Sequence, residues 1–170
     1  MEPIVRTVTD PHRLDIEAIK SSPAGKKSVV QVRIDADERP SSDLLETVSN
    51  ELSAAFDAAE EVGQVNFGAG YTLEVSTPGV DTPLTKPRHW RRNRTRLVKV
   101  GDAIWRIGAV NDEETAVILV ERGAKNLDVH EFSPETRAVV EIEFNNPPAA
   151  ELELAGLTFD EAIEWREDHK

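Results

Sequence analysis

The sequence has no cysteine, a single methionine, a single tyrosine and only 5% aromatic residues. The missing thiols exclude disulfides, thiolate zinc sites, iron–sulfur clusters and a cysteine nucleophile together. The four histidines, His12, His89, His130 and His169, are scattered without metal-ligand spacing, so neither a metal nor a cofactor is expected. No apolar run approaches the roughly 20 residues that a membrane helix needs. The opening MEPIVRTVTD has no basic stretch followed by an apolar core, which predicts no secretory signal. Nucleotide-loop context is missing as well: Gly68-Ala-Gly70 is too short and lacks the Lys-Ser/Thr or GxGxxG surroundings of a phosphate loop. No histidine–carboxylate motif is present. Glu60-Glu61 and Asp112-Glu-Glu114 read as a helix end and a hairpin loop in water. The expectation is a soluble, cytoplasmic, monomeric chain that is not an enzyme.

What is there is charge, unevenly placed. The chain carries 32 acidic and 20 basic residues in 170, a net of −12. From Thr82 to Gly101 seven basic residues occur with no acidic one, leaving 13 basic against 32 acidic in the other 150 residues, a net of −19. A positive island on an acidic body turns one face toward a polyanion and repels it elsewhere.

Periodicity organises the rest. Ile4, Val5 and Val8 share a helical face in the first nine residues, with Pro3 near the start. Leu14–Ala18 alternates as a strand, Ser21–Lys27 reads as a turn, and Val30–Ile34 as a second strand, together a hairpin. Asp43 with Glu46 fits a capping box. Leu45, Val48, Leu52, Ala55, Phe56 and Ala59 form the apolar stripe of the helix that follows, which stops at Gly63. Tyr71, Leu73 and Val75 alternate as a third strand. The first domain, residues 1–76, therefore reads αββαβ, two helices on a three-stranded sheet. Residues 77–86, with two prolines and a glycine between 76 and 84, form a linker. Residues 87–170 hold five short strands, Arg96–Val100, Ala103–Ile107, Ala116–Val120, Leu127–Val129 and Ala138–Phe144, which favour a small barrel. Thr158 with Glu161 caps a terminal helix.

The stretch Gly70-Tyr-Thr-Leu-Glu-Val-Ser-Thr-Pro-Gly-Val-Asp-Thr-Pro-Leu84 resembles the signature of the RimP (ribosome maturation factor P) family, an aromatic residue, Leu-Glu-Val-Ser, Ser-Pro-Gly, an apolar residue and Asp-Arg-Pro-Leu. Leu73–Ser76, Pro78, Gly79, Asp81, Pro83 and Leu84 match; Thr77 replaces the commoner serine and Thr82 the usual arginine. Lys86–Asn93 is similar to the basic entry into the family's second domain. The resemblance implies an α+β domain followed by an SH3-like β-barrel, no reaction, and a role in assembling the small ribosomal subunit. The partners it implies are the free 30S subunit, its 16S rRNA, and the twelfth small-subunit ribosomal protein docked on the second domain.

The expected RNA- or ribosome-binding surface is Lys86, Arg88, His89, Arg91, Arg92, Arg94 and Arg96. Arginine pairs bidentately with phosphate. His89 and Trp90 offer flat faces for an unstacked base, with filling of the domain junction as the alternative for Trp90. Pro78, Gly79, Asp81 and Pro83 are expected to make a tight inter-domain turn. A generic RNA-binding module, not specific to the ribosome, is the rival reading.

Overall fold

In the computed structural model, which describes residues 1–79 and 81–169, the chain falls into two units, Met1–Gly79 and Val80–Lys170. The fold is α+β. The first unit runs α1 (Glu2–Thr9), a 3-10 turn (Asp10–His12), β1 (Asp15–Ala24), β2 (Lys27–Asp35), α2 (Ser42–Glu61) and β3 (Tyr71–Ser76). Its sheet has the order β1-β2-β3, antiparallel between β1 and β2 and parallel between β2 and β3. A parallel pair needs a long crossover, and α2 supplies it. Alternation along β2 buries Val30, Val32 and Ile34 completely against Val5 and Val8 of α1 and Val48, Leu52 and Phe56 of α2. The opposite face pairs polar neighbours across the parallel ladder, Gln31 donating to Glu74 at 2.9 Å.

Two local expectations are corrected here. Ser21–Ala24 belongs to β1, and the turn is only Gly25-Lys26. The ladder to Lys27–Val30 overrides the turn-forming residues, and Pro23 is tolerated because β1 is an edge strand. The cap of α2 is Ser41, whose hydroxyl accepts from the Leu44 N–H at 3.1 Å; Asp43 sits inside the first turn, where its charge favours the positive end of the helix dipole.

The second unit comprises α3 (Pro87–Arg92), β4 (Leu97–Val100), β5 (Ala103–Val110), β6 (Ala116–Glu121), β7 (Leu127–Glu131), β8 (Ala138–Glu141), α4 (Ala149–Ala155) and α5 (Phe159–Asp168). Its strands make one antiparallel sheet in the order β7-β6-β5-β4-β8, a four-stranded meander whose fifth strand returns beside the first. The continuous apolar run Ala116–Val120 is buried on both sides of the sheet. Val117 and Leu119 join Trp90, Val98 and Ile107, whereas Ile118 and Val120 join Leu154, Ala155 and Ala162 of the terminal helices. Gly108 lies where β5 shifts register; a Cβ there would stand 3.1 Å from Ile118, a tight contact that glycine avoids. Thr158 and Glu161 form the expected capping box of α5. The expected last strand ends early, at Glu141 instead of Phe144, and α4 is an additional helix.

One buried cation ties this unit together. Arg106, 0% exposed, donates to both carboxylate oxygens of Glu143 (2.9 and 2.6 Å), to Glu151 of α4 (2.9 Å) and to the Thr95 carbonyl (2.7 Å). Glu151 in turn accepts from the Gly123 N–H at 3.0 Å and lies 3.3 Å from Arg122. Burial pushes the Glu151 carboxyl up, but the Gly123 N–H, Arg106 and Arg122 outweigh it and hold the group below the ordinary carboxylate range. Hydrogen bonding to Arg106 does the same for Glu143. Removing Arg106 takes from Glu143 its two charged hydrogen bonds and leaves Glu151 only Arg122 and the Gly123 N–H. Arg106→Met should therefore lower stability by about 3–5 kcal/mol, and adding Glu143→Leu and Glu151→Leu should recover most of it, read from urea midpoints. Because both folded-state carboxyls titrate below their unfolded value, their stabilisation is complete above pH ~4.3 and is lost as pH falls through the folded values. Glu151→Gln should flatten that acid limb in a pH series of urea melts.

Candidate nucleic-acid interface

The basic segment folds as a short helix because Pro87 suits its first turn and His89 caps it. The His89 Nδ1 accepts from the backbone N–H groups of Thr85 (3.0 Å) and Lys86 (3.1 Å), which places the proton of the neutral ring on Nε2. The Asn93 side chain donates to the His89 carbonyl at 2.8 Å and closes the other end. Helical spacing then sorts the island. Arg88, Arg91 and Arg92 fall at i, i+3 and i+4 on one face, while Trp90 turns inward.

The structure does not gather all seven expected residues for one task. Lys86, Arg91 and Arg96 are exposed, and Arg88, His89 and Arg92 are half-buried. Arg88, Arg91 and Arg92 each already engage a neighbouring group; for Arg91 one is Glu114 at 3.8 Å, a loose exposed pair worth little. A phosphate would extend or exchange these interactions. Arg96 leans on Asn93 at 3.4 Å. Arg94 is different: it donates to the Ala155 carbonyl (2.8 Å) and the Leu157 carbonyl (2.6 Å) at the end of α4, where a cation complements the helix dipole. The stacking expectation is corrected for Trp90. It is 3% exposed and packs in the core of the second unit, 5.4 Å from His130 and 5.8 Å from Phe132. For His89, capping already occupies one ring nitrogen.

Pro78 and Pro83 are half-buried, and Gly79 and Asp81 exposed; Val80, inside the same stretch, lies outside the described residues. The Leu84 N–H donates to the Ala138 carbonyl at 2.8 Å, so the chain that leads to α3 is pinned to β8. Gly68-Ala-Gly70 has a structural use. The Ala69 N–H meets the Lys26 carbonyl at 3.0 Å, and a Cβ on Gly68 would come within 2.7 Å of that oxygen. Among the described residues no group of three His, Asp or Glu could hold a metal, and no helix is long and apolar enough to cross a membrane.

Residues 4–81 match the RimP N-terminal domain. A protein of Corynebacterium diphtheriae called ribosome maturation factor RimP is 50% identical over 173 residues, covering 98% of this chain and 94% of the relative. Its namesake in Corynebacterium aurimucosum is 52% identical over 166 residues, 92% and 88% of the two chains. The chain belongs to the ribosome maturation factor RimP family. The RimP resemblance at Leu73–Leu84 thus extends to nearly the full length. Within this RimP chain the sequence-level reading missed Arg106, the anchoring role of Arg94, and the α3 helix, which Pro87 followed by five residues without a breaker could have signalled. Arg94→Ala should lower stability by about 2–3 kcal/mol, since it strips two charged hydrogen bonds from a helix end. Arg94→Lys should recover only part of this, because one ammonium cannot span both carbonyls as the fork does. Thermal melts of the three proteins check the order.

Proposed function

We propose that the chain is a non-catalytic factor in ribosome maturation that binds the free small (30S) subunit through 16S rRNA. The observation that carries the reading is the 50% identity, over almost its whole length, to a protein named ribosome maturation factor RimP. The rRNA-facing surface is the exposed side of α3 with its flanks: Lys86, Arg88, Arg91, Arg92 and Arg96, with His89 setting the start of the helix and Arg94 its support. An acidic body with this one basic helix steers toward phosphate in a single orientation. The second domain, residues 87–170, is an SH3-like barrel in this reading, supported by a meander whose last strand returns to the first, and it docks the twelfth small-subunit ribosomal protein. A basic ribosomal protein finds complementary charge on a body of net −19 outside the island. Residues 1–76 form the first domain, and Pro78, Gly79, Asp81 and Pro83 in the linker 77–86 set how the two domains are presented. The factor works in the cytoplasm as a monomer, without a cofactor.

A generic RNA-binding module would share the charge pattern but not the choice of particle. Co-sedimentation with small subunits, large subunits and whole ribosomes at two salt concentrations separates the two. Retention by the free small subunit alone is expected; equal retention by all three particles favours the generic module. Arg91→Glu with Arg92→Glu should abolish co-sedimentation while leaving the melting curve in place. In titrations of the wild type against each single charge-removing variant, the slope of log affinity against log salt should shrink by about one unit for each phosphate that is no longer neutralised. Unchanged sedimentation of the double variant would remove α3 from the interface.

A further inference from the structure

Beside α3 the second unit holds a cleft of about 180 Å³ lined by Leu84, Thr85, Trp90, His130, Phe132 and Thr136, with Ser133 and Pro134 at its lip. This is smaller than the roughly 300–1,000 Å³ that encloses a drug-sized ligand, so it suits one planar group. Its wall is built by strand alternation. His130 and Phe132 stand two residues apart, on one face of β7 and its continuation, where the Phe132 N–H still reaches the Thr115 carbonyl at 3.0 Å. Both rings are half-buried, and the buried Trp90 indole forms the floor at 5.4 and 5.8 Å. Burial pushes the His130 imidazole below the ordinary histidine value, against the pull of Asp128.

We propose that this cleft receives a single unstacked nucleobase of single-stranded RNA, stacked on His130 and Phe132 above Trp90. The inference rests on the RNA-binding reading above and gives it a site for a base as well as for phosphates. Thr85, Ser133 and Thr136 carry hydroxyls around the cleft that can meet the edge of a base; a prolyl or phenyl side chain of a peptide would use none of them. Lys86 and Arg137, both exposed, directly follow Thr85 and Thr136. The Leu84–Ala138 hydrogen bond lays those two segments side by side, so two cations flank the entrance for the neighbouring phosphates. Glu131 and Glu135 are exposed in the same loop, so charge alone does not make this corner an anion trap and the aromatic faces must supply the affinity.

The test uses the full chain with labelled tryptophan and histidine side chains, titrated at low salt with a uridylate oligomer and with an abasic oligomer of equal length and charge. The uridylate should move the Trp90 indole N–H and His130 ring resonances and the abasic strand should not, although both bind. Phe132→Leu, which keeps apolar volume but removes the ring, should keep its melting curve and weaken uridylate binding about tenfold, toward the abasic value. Equal affinity for the two oligomers with silent cleft resonances would overturn the base site and leave the phosphate-binding surface standing. Failure of both oligomers to bind would remove the RNA reading along with it. Larger cleft shifts with a proline-rich peptide than with RNA would also overturn the proposal, by giving the cleft to a protein.

Discussion

The second unit depends on keeping one fully buried guanidinium satisfied. A lone charge in that position would cost several kcal/mol, so Arg106 is tolerable only when every acceptor arrives together: Glu143 beyond β8, Glu151 on α4 and the Thr95 carbonyl ahead of β4. Each acceptor imposes something. Glu151 brings α4 onto the sheet and, through Gly123 and Arg122, onto the β6–β7 turn. Thr95 is held at φ 77°, an unusual conformation for a β-branched residue. Its N–H meets the Ile107 carbonyl at 2.8 Å, and the Ile107 N–H meets the Arg96 carbonyl at 2.9 Å, so the corner between α3 and β4 is fixed from both sides.

That corner gives the basic island its shape. Seven cations in 20 residues look uniform as a string, yet they divide by role. Arg94 faces inward and closes the end of α4. His89 starts α3, Trp90 anchors it, and the arginines left on its outer face keep helical spacing. Shape and charge come from different residues, and a variant of this segment reports on charge only once its fold has been checked.

Much of this was legible beforehand where a signal is local. Short apolar runs, most of them alternating, placed every described strand, although β1 runs six residues past its expected end; the α2 stripe from Val48 to Ala59 is buried as its spacing requires. The junction motif carried the family. What escaped depends on partners far apart in the chain. Alternation puts Arg106 on the face opposite Trp105 and Ile107, which looks like solvent until α4, formed by residues 149–155, covers it. The cap of α2 went to Ser41 over Asp43 because the extended residue just ahead of the first turn has its side chain placed to meet the free N–H groups. The basic stretch hid a helix because six residues are too few to show a period. His130 and Phe132 gave no hint of a shared cleft, since the third ring, Trp90, comes 40 residues earlier and enters from another element.

The distance in sequence between Arg106 and its second carboxylate has a consequence for synthesis. Glu151 follows Arg106 by 45 residues, and at roughly 5–20 residues per second that is a delay of about 2–9 s on the translating ribosome. Through that interval Arg106 lacks one of its acceptors. The αββαβ unit ahead of it already has all its parts, whereas the second unit waits for the last acceptor of its buried cation.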